Sequence, residues 1–324
     1  VSETLKQQAE DIRRWNEALP GPVDLRLVKT GDERTAPFES FLDGLASLAP
    51  QVRTGWETGR EGDLPAILIG RSWTFHLVPE GKELSPFLGL LTRIASGRSG
   101  LPADVSASLE RVQAPSVMEI FVSTVCPNCP AVVSRLTPFP LANSGIHVRV
   151  VDGLLFPEWS RERGIRAVPS VLLPGGVRFT GQVLAREAAD ALLQGDPSRM
   201  GAEALARMIQ AGDAEGLARM MLEQRQVFPG VVDLLAGDIF SLRLGAMVAL
   251  ETLGEEAPEV ARDALESLWG RMEEAHPSAR GDMVYLIGEF GDASWIPRLQ
   301  TLLDFSPPED FREAVEEALE TLKA

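Results

Sequence analysis

Val117-Met118-Glu119-Ile120-Phe121-Val122-Ser123 runs into Thr124-Val125-Cys126-Pro127-Asn128-Cys129-Pro130-Ala131-Val132-Val133. Residues 117–123 read as a strand. The residues after it predict a helix over 126–136 that starts at the Cys-x-x-Cys. The first turn of a helix leaves N–H groups without partners and carries a partial positive charge. A thiolate placed there is stabilised. Cys126 is therefore expected at the exposed helix end as the attacking thiol. Cys129, one turn on and more buried, is expected to resolve the mixed disulfide, and the chemistry is thiol–disulfide exchange. Pro127 and Asn128, between the two thiols, are expected to touch substrate.

On either side of this run the same element order occurs twice. In the first copy, Leu5–Leu19 reads as an amphipathic helix ended by Pro20-Gly21-Pro22. Val23–Lys29 (VDLRLVK) alternates with period two, a strand signature. A helix over 38–48, strands over 52–57, 64–69 and 73–78, and a helix over 84–95 follow. Leu101–Val112 bridges the copies as a helix. The second copy has strands over 117–123, 146–152, 168–173 and 176–181, with helices over 126–136, 157–163 and 184–193. Val168-Pro169 mirrors Leu64-Pro65, and an X-Pro bond between a loop and a strand is a reasonable place for a cis peptide. The fold expected is α/β with a mixed sheet and helices on both faces.

The thiols occur in the second copy only. After Lys29 the chain reads Thr30-Gly31-Asp32-Glu33-Arg34, without cysteine, so the first copy is a redox-dead partner or scaffold. Pro65 is expected to keep a cis bond for structural reasons. With two cysteines in all and only His76, His147 and His276 as further soft ligands, a four-ligand zinc site is not expected. One Cys-x-x-Cys in a Cys-poor chain points to a reducing, cytoplasmic setting.

The 324 residues carry a net charge of −16, which argues against nucleic-acid backbone binding. No run approaches the roughly 20 apolar residues of a membrane span. The polar start Val1–Arg14 does not read as a signal peptide. Residues 197–324 hold 11 Lys/Arg and 24 Asp/Glu, a net of −13, and the remainder nets −3. That shift, at the turn-like Gly195-Asp196-Pro197-Ser198, marks a boundary.

The run Cys126-Pro127-Asn128-Cys129-Pro130-Ala131-Val132-Val133, with Val151-Asp152-Gly153 and Ala167-Val168-Pro169-Ser170-Val171, resembles two families. One is the N-terminal domain of the flavoprotein subunit of bacterial alkyl hydroperoxide reductase. The other is the glutaredoxin-like protein disulfide oxidoreductases. The resemblance covers residues 1–196 and implies two tandem thioredoxin-like folds, over 1–100 and 101–196. It implies that Cys126 and Cys129 are the redox pair. It also implies that Pro169 is the cis-proline beside them, with Val168 offering its backbone to an extended substrate. The flavin and nicotinamide module of the flavoprotein has no counterpart: no G-x-G-x-x-G follows a strand. No cofactor is expected, and electrons must come from an external reductase.

From Ala202 the pattern is helical throughout. Arg243–Gly254 has a counterpart 37 residues later in Arg280–Gly291, and a third piece starts at Arg312. Paired helices at that period signal an α-solenoid, and the Ala-x-x-Ala-Leu-x-x-Leu-Gly-like run resembles HEAT repeats. Residues 197–324 are therefore expected to be a HEAT-like domain that binds a protein partner. The resulting expectation is a dithiol oxidoreductase that reduces, or relays electrons to, protein disulfides. The alternative is a redox-responsive adaptor in which the helical domain does the work and the cysteines only switch it. Asp152 is a weaker candidate for taking a proton from Cys129, and Trp159 is expected beside the active copy. Glu255-Glu256 and Glu316-Glu317 read as helix-face charges.

Overall fold

A computed structural model describes residues 3–60, 62–304 and 307–323. Val1 and Ser2, at the head of the polar start, lie outside the described residues. The chain divides into two compact units, Val1–Gly195 and Asp196–Ala324.

The first unit begins with α1 (Glu3–Gln7), α2 (Ala9–Ala18), β1 (Val23–Lys29), α3 (Thr35–Leu48), β2 (Val52–Thr58), β3 (Ala66–Ile69), β4 (Trp73–His76) and α4 (Leu84–Ser96). It continues with α5 (Ala103–Glu110), β5 (Ser116–Val122), α6 (Cys129–Leu136), α7 (Phe139–Ala142), β6 (Ile146–Asp152), α8 (Pro157–Glu162), β7 (Ser170–Leu172), β8 (Arg178–Thr180) and α9 (Ala185–Gln194). Among the described residues the strands form one eight-stranded mixed sheet, in the order β2-β1-β3-β4-β6-β5-β7-β8. Each half repeats one pattern. Its first strand pairs in parallel with its second, then antiparallel with its third, which pairs antiparallel with its fourth. The halves join where β4 pairs in parallel with β6, Trp73 opposite Val148 through His76 opposite Val151.

Alternation along the strands decides the faces. Val23, Leu25 and Leu27 of β1 are buried, whereas Asp24 and Arg26 between them are exposed. On the same face as Leu25, Phe75 packs edge-on to Phe87 of α4, which meets Phe41 of α3. The indole of Trp73 donates to the Thr137 carbonyl at the end of α6, 2.7 Å away. The opposite face carries α8, whose Trp159 meets the rings of Phe121 and His76. Helices thus lie on both faces, but unevenly.

Several elements depart from the sequence reading. The helix expected over Leu5–Leu19 is interrupted at Gln8, whose side-chain amide is held by both backbone groups of Gly81 at 2.9 and 3.1 Å. Short α7 has no counterpart in the sequence reading. The peptide before Pro65 is not cis; among the described residues only Val168–Pro169 is. The sequence places α6 at Cys126, but it begins at Cys129. The Cys126 N–H closes a turn on the Ser123 carbonyl at 3.0 Å, so residues 126–128 form a bend before the first regular turn.

The second unit contains α10 (Ala202–Gln210), α11 (Ala214–Gln224), α12 (Pro229–Leu235), α13 (Phe240–Glu256), α14 (Pro258–Asp263), α15 (Leu265–Arg271), α16 (Pro277–Phe290), α17 (Ile296–Leu303) and α18 (Glu309–Thr321). Residues 258–271 form two helices, α14 and α15, because the Ala264 N–H bonds three residues back to Ala261 and tightens the chain there. Helices α13, α16 and α18 pack in succession. Gly288 of α16 lies against Ala318 of α18, where a Cβ would come within 2.9 Å of the Ala318 backbone. Arg243, almost wholly buried, reaches from α13 to Asp282 of α16 at 2.8 Å.

The loop after β1, which lacks thiols, docks on the second half of the sheet. The Arg34 guanidinium lies over the Phe156 ring, 4.5 Å from its centroid. It also donates to the Leu155 carbonyl at 3.0 Å and to Glu158 at 2.6 Å, while Asp32 braces it from its own loop. Its hydrogen bonds hold the Asp32 carboxyl down at about 2. Replacing Arg34 by Ala removes the charge and the packing together, so Arg34→Ala is expected to cost about 1–3 kcal/mol. Urea denaturation near neutral pH, compared with wild type, measures that loss.

Candidate active site

Strand β5 delivers the chain to the sheet edge at Val122, and the bend Ser123–Asn128 leads into α6. Both cysteines are free thiols; Cys126 is partly exposed and Cys129 fully buried. The Cys129 N–H, first of α6, donates to the Cys126 sulfur at 3.2 Å. This is the unpaired donor that a helix start offers to an anion. On the other side, Cys126 Sγ lies 3.8 Å from the Val168 carbonyl, at the cis Val168–Pro169 peptide. The structure therefore brings Cys126, Cys129, Val168 and Pro169 together. Pro127 and Asn128 are exposed on the bend between the thiols. Val125 and Leu154 are exposed apolar residues, one beside Cys126 and the other just past the point where Val122 pairs with Asp152.

The interior under Cys129 is acidic. Asp152, nearly buried, ends β6; its Oδ1 accepts from the N–H groups of Leu154 at 3.0 Å and Leu155 at 3.4 Å. Burial pushes its carboxyl up, against those hydrogen bonds. Glu83, in the turn before α4, is 1% exposed. Neither of its carboxylate oxygens has a hydrogen-bond partner among the described residues. Burial, reinforced by the nearby Asp152 charge, pushes the Glu83 carboxyl up to about 7. The Cys129 thiol is raised, first by burial, then by its contact with Cys126, with a further contribution from Glu83.

Glu83 is the residue that sequence reading missed. In Glu80-Gly81-Lys82-Glu83 it looks like part of a solvated turn, and no local signal marks it. It lies close enough to Cys129 to act on it electrostatically because β4 and β6 run parallel, so the chain leaving β4 emerges on the same edge as the loops after β5 and β6.

The remaining candidates have structural contacts. The His76 Nδ1 meets the Pro65 carbonyl at 3.0 Å, and burial brings its imidazole down to about 4. His147 bridges the Arg71 carbonyl and Thr74. His276 caps α16. Trp159 lies on the sheet face opposite α6, with Arg149 over its ring. Among the described residues no group of three or more His, Cys, Asp or Glu side chains is placed to hold a metal ion, and no helix is long and apolar enough to cross a membrane.

Residues 117–194 match the family described as Thioredoxin domain, and the chain carries a thioredoxin-like domain. Over 185 residues it is 25% identical to the F subunit of alkyl hydroperoxide reductase of Pseudomonas putida, covering 56% of this chain and 35% of that protein. The corresponding protein of Pseudomonas aeruginosa is 27% identical over 269 residues, 79% of this chain and 51% of its own length. The chain thus spans between about a third and half of these relatives. Among solved structures it is similar to the F subunit of the Enterococcus faecalis alkylhydroperoxide reductase, with 23% identity, 58% of this chain and 98% of that one, and a TM-score of 0.53. It is also similar to a protein disulfide oxidoreductase from Aeropyrum pernix, with 18% identity, 60% and 94% coverage, and a TM-score of 0.54. At these identities the structures show a shared fold: a thioredoxin-like α/β region with a mixed sheet. In this chain a helical C-terminal part follows it.

The buried carboxyl has a thermodynamic signature. Unfolded, Glu83 ionises near 4.5; folded, it ionises near 7. Between those values the folded state keeps a proton that the unfolded state has shed, so stability is fully present below about 4.5 and falls as pH rises toward 7. The full loss assigned to this group is on the order of 3 kcal/mol. Glu83→Gln is expected to lack that part of the slope. Denaturant unfolding of both proteins at pH 5 and pH 8 measures it, and identical slopes would remove Glu83 from the buried acid pair.

Proposed function

We propose that this chain is a thiol–disulfide oxidoreductase that reduces, or relays electrons to, protein disulfides through Cys126 and Cys129. The observation that carries this reading is the contact set of Cys126. Its sulfur accepts the first N–H of α6 and sits beside the Val168 carbonyl on an accessible edge. The Cys126 thiolate attacks one sulfur of a substrate disulfide, a new S–S bond forms, and the other substrate sulfur leaves as a thiolate that takes up a proton. Cys129 then attacks Cys126, releasing the second substrate thiol and leaving the Cys126–Cys129 disulfide. Two electrons pass to the substrate, and an external reductase returns them.

Before it attacks, Cys129 must lose its proton in a site where burial opposes its ionisation. A carboxylate titrating near 7, buried in the same interior, suits that task. In this reading Glu83 takes the Cys129 proton during oxidation and returns it during reduction. Val168 and Pro169, with Pro127 and Asn128, hold the substrate backbone against the edge, while Val125 and Leu154 supply apolar contact.

The repeated strand order supports a finer division: tandem thioredoxin-like folds over 1–100 and 101–196, the first without thiols, and a HEAT-like helical domain over 197–324. An apolar stripe of Phe240, Leu244 and Val248, exposed at four-residue spacing on α13, supports a partner-binding role for the helical domain. With such a partner, the adaptor reading has the Cys126–Cys129 state switch binding. A Cys-x-x-Cys in a chain with only two cysteines suits a reducing cytoplasmic setting.

Catalysis separates these readings. With dithiothreitol as reductant and insulin as disulfide substrate, wild type is expected to turn over and Cys126→Ser to lose all activity. Cys129→Ser is expected to accumulate a mixed disulfide visible by intact mass. Glu83→Gln is expected to slow resolution by about 10²-fold and to flatten its pH dependence near 7. Redox-dependent partner binding without turnover would favour the adaptor.

A further inference from the structure

The two edges of the sheet are unlike. Strand β8 has three residues, all buried, whereas β2 has seven, in register with β1 along its whole length. Natural edge strands are commonly blunted by shortness, proline, bulges or inward charges. Strand β2, Val52-Arg53-Thr54-Gly55-Trp56-Glu57-Thr58, has no proline and no bulge, and it exposes Trp56 at 66%.

Its backbone polarity follows from its ends. The Gln51 carbonyl accepts from Val23 and the Gly59 N–H donates to Lys29, both toward β1. By two-residue alternation Arg53, Gly55 and Glu57 also turn their backbone groups to β1, and Thr54, Trp56 and Thr58 turn theirs outward. An antiparallel copy of the same strand can pair with those outward groups in a register centred on Gly55. Thr54 and Trp56 of opposite chains then form hydrogen-bonded pairs, and Gly55 meets Gly55 at the two-fold axis as a non-hydrogen-bonded pair.

We propose that β2 is a homodimerisation edge, pairing antiparallel with β2 of a second copy about Gly55 to continue the sheet across both chains. Charge complementarity picks this occupant. In this register Arg53 stands opposite Glu57 of the partner, twice, on one face and in the pair class with the closest side chains. Arg26 already bonds Glu57 at 2.8 Å on that face, so each Glu57 would lie between two guanidinium groups. On the other face the two Trp56 rings fall at diagonal positions, within reach of each other. Gly55 has a role there as well. A Cβ at this position meets nothing within 4 Å in its own chain, so internal packing does not require glycine. Glycine inside a strand often marks close approach by another backbone, here about 4.5 Å between Cα atoms.

Sedimentation velocity and light scattering across a dilution series of the full chain test this. A concentration-dependent dimer is expected. Thr54→Pro removes an outward N–H without touching the β1 ladder and is expected to give a monomer. Arg53→Glu, which faces Glu57 across the axis, is expected to raise the dimer dissociation constant about tenfold. The exchange R53E/E57R, made together with Arg26→Glu so that position 57 keeps an opposite charge on β1, is expected to restore it, which separates pairing from misfolding. A chain that is monomeric at every concentration, or a dimer unmoved by both Thr54→Pro and Arg53→Glu, would overturn the proposal.

Discussion

The parallel pairing of β4 with β6 is the constraint on which the thiol site depends. Four residue pairs, Trp73 with Val148 through His76 with Val151, turn two four-stranded halves into one sheet. Parallel strands emit their chains at the same end. The loops after β1, β4, β5 and β6 therefore gather on one edge, although they come from both halves. That edge holds the cysteines, Asp152, Glu83 and the Arg34 loop. Without the seam, Glu83 would lie at the rim of a separate half, in water, with an ordinary carboxylate pKa.

The surroundings at this edge change with depth. Near the surface, the first N–H of α6 donates to the Cys126 sulfur. Deeper in, burial opposes charge on Cys129, Asp152 and Glu83 together. A carboxyl without hydrogen-bond partners is costly to ionise in such surroundings, and that cost brings Glu83 to a pKa where it exchanges protons near neutral pH. The thiol-free half adds the Arg34 clasp over Phe156, which fixes the segment following Asp152. A loop without cysteines there is able to act as a brace.

The helical unit rests on a different principle. Its helices approach closely because small residues face the contacts: Gly245 against Ile209, Gly254 against Phe290, and Gly288 against Ala318. A buried arginine that reaches from one helix to the aspartate of the next adds directional specificity to an otherwise apolar interface.

Much of this was legible in one dimension. Period-two alternation located β1 and β6, because strands covered unevenly on their two faces write that difference into neighbouring residues. The cysteine spacing, the strand before it and the X-Pro before β7 identified the thiols and the backbone that flanks them, since those relations are local. The bend at Cys126, the break at Ala264, the interruption at Gln8 and the trans bond at Pro65 were not legible, because each depends on contacts that outweigh local propensity. Glu83 was hidden for a stronger reason. Its burial, its missing partners and its raised pKa all come from strands about 70 residues apart in the chain, and a titration shift belongs to the surroundings of a residue. The amino-acid sequence by itself determined where the two thiols stand and which X-Pro backbone flanks them. Only the tertiary structure decided which acid sits behind them, because that required two halves of one sheet to meet.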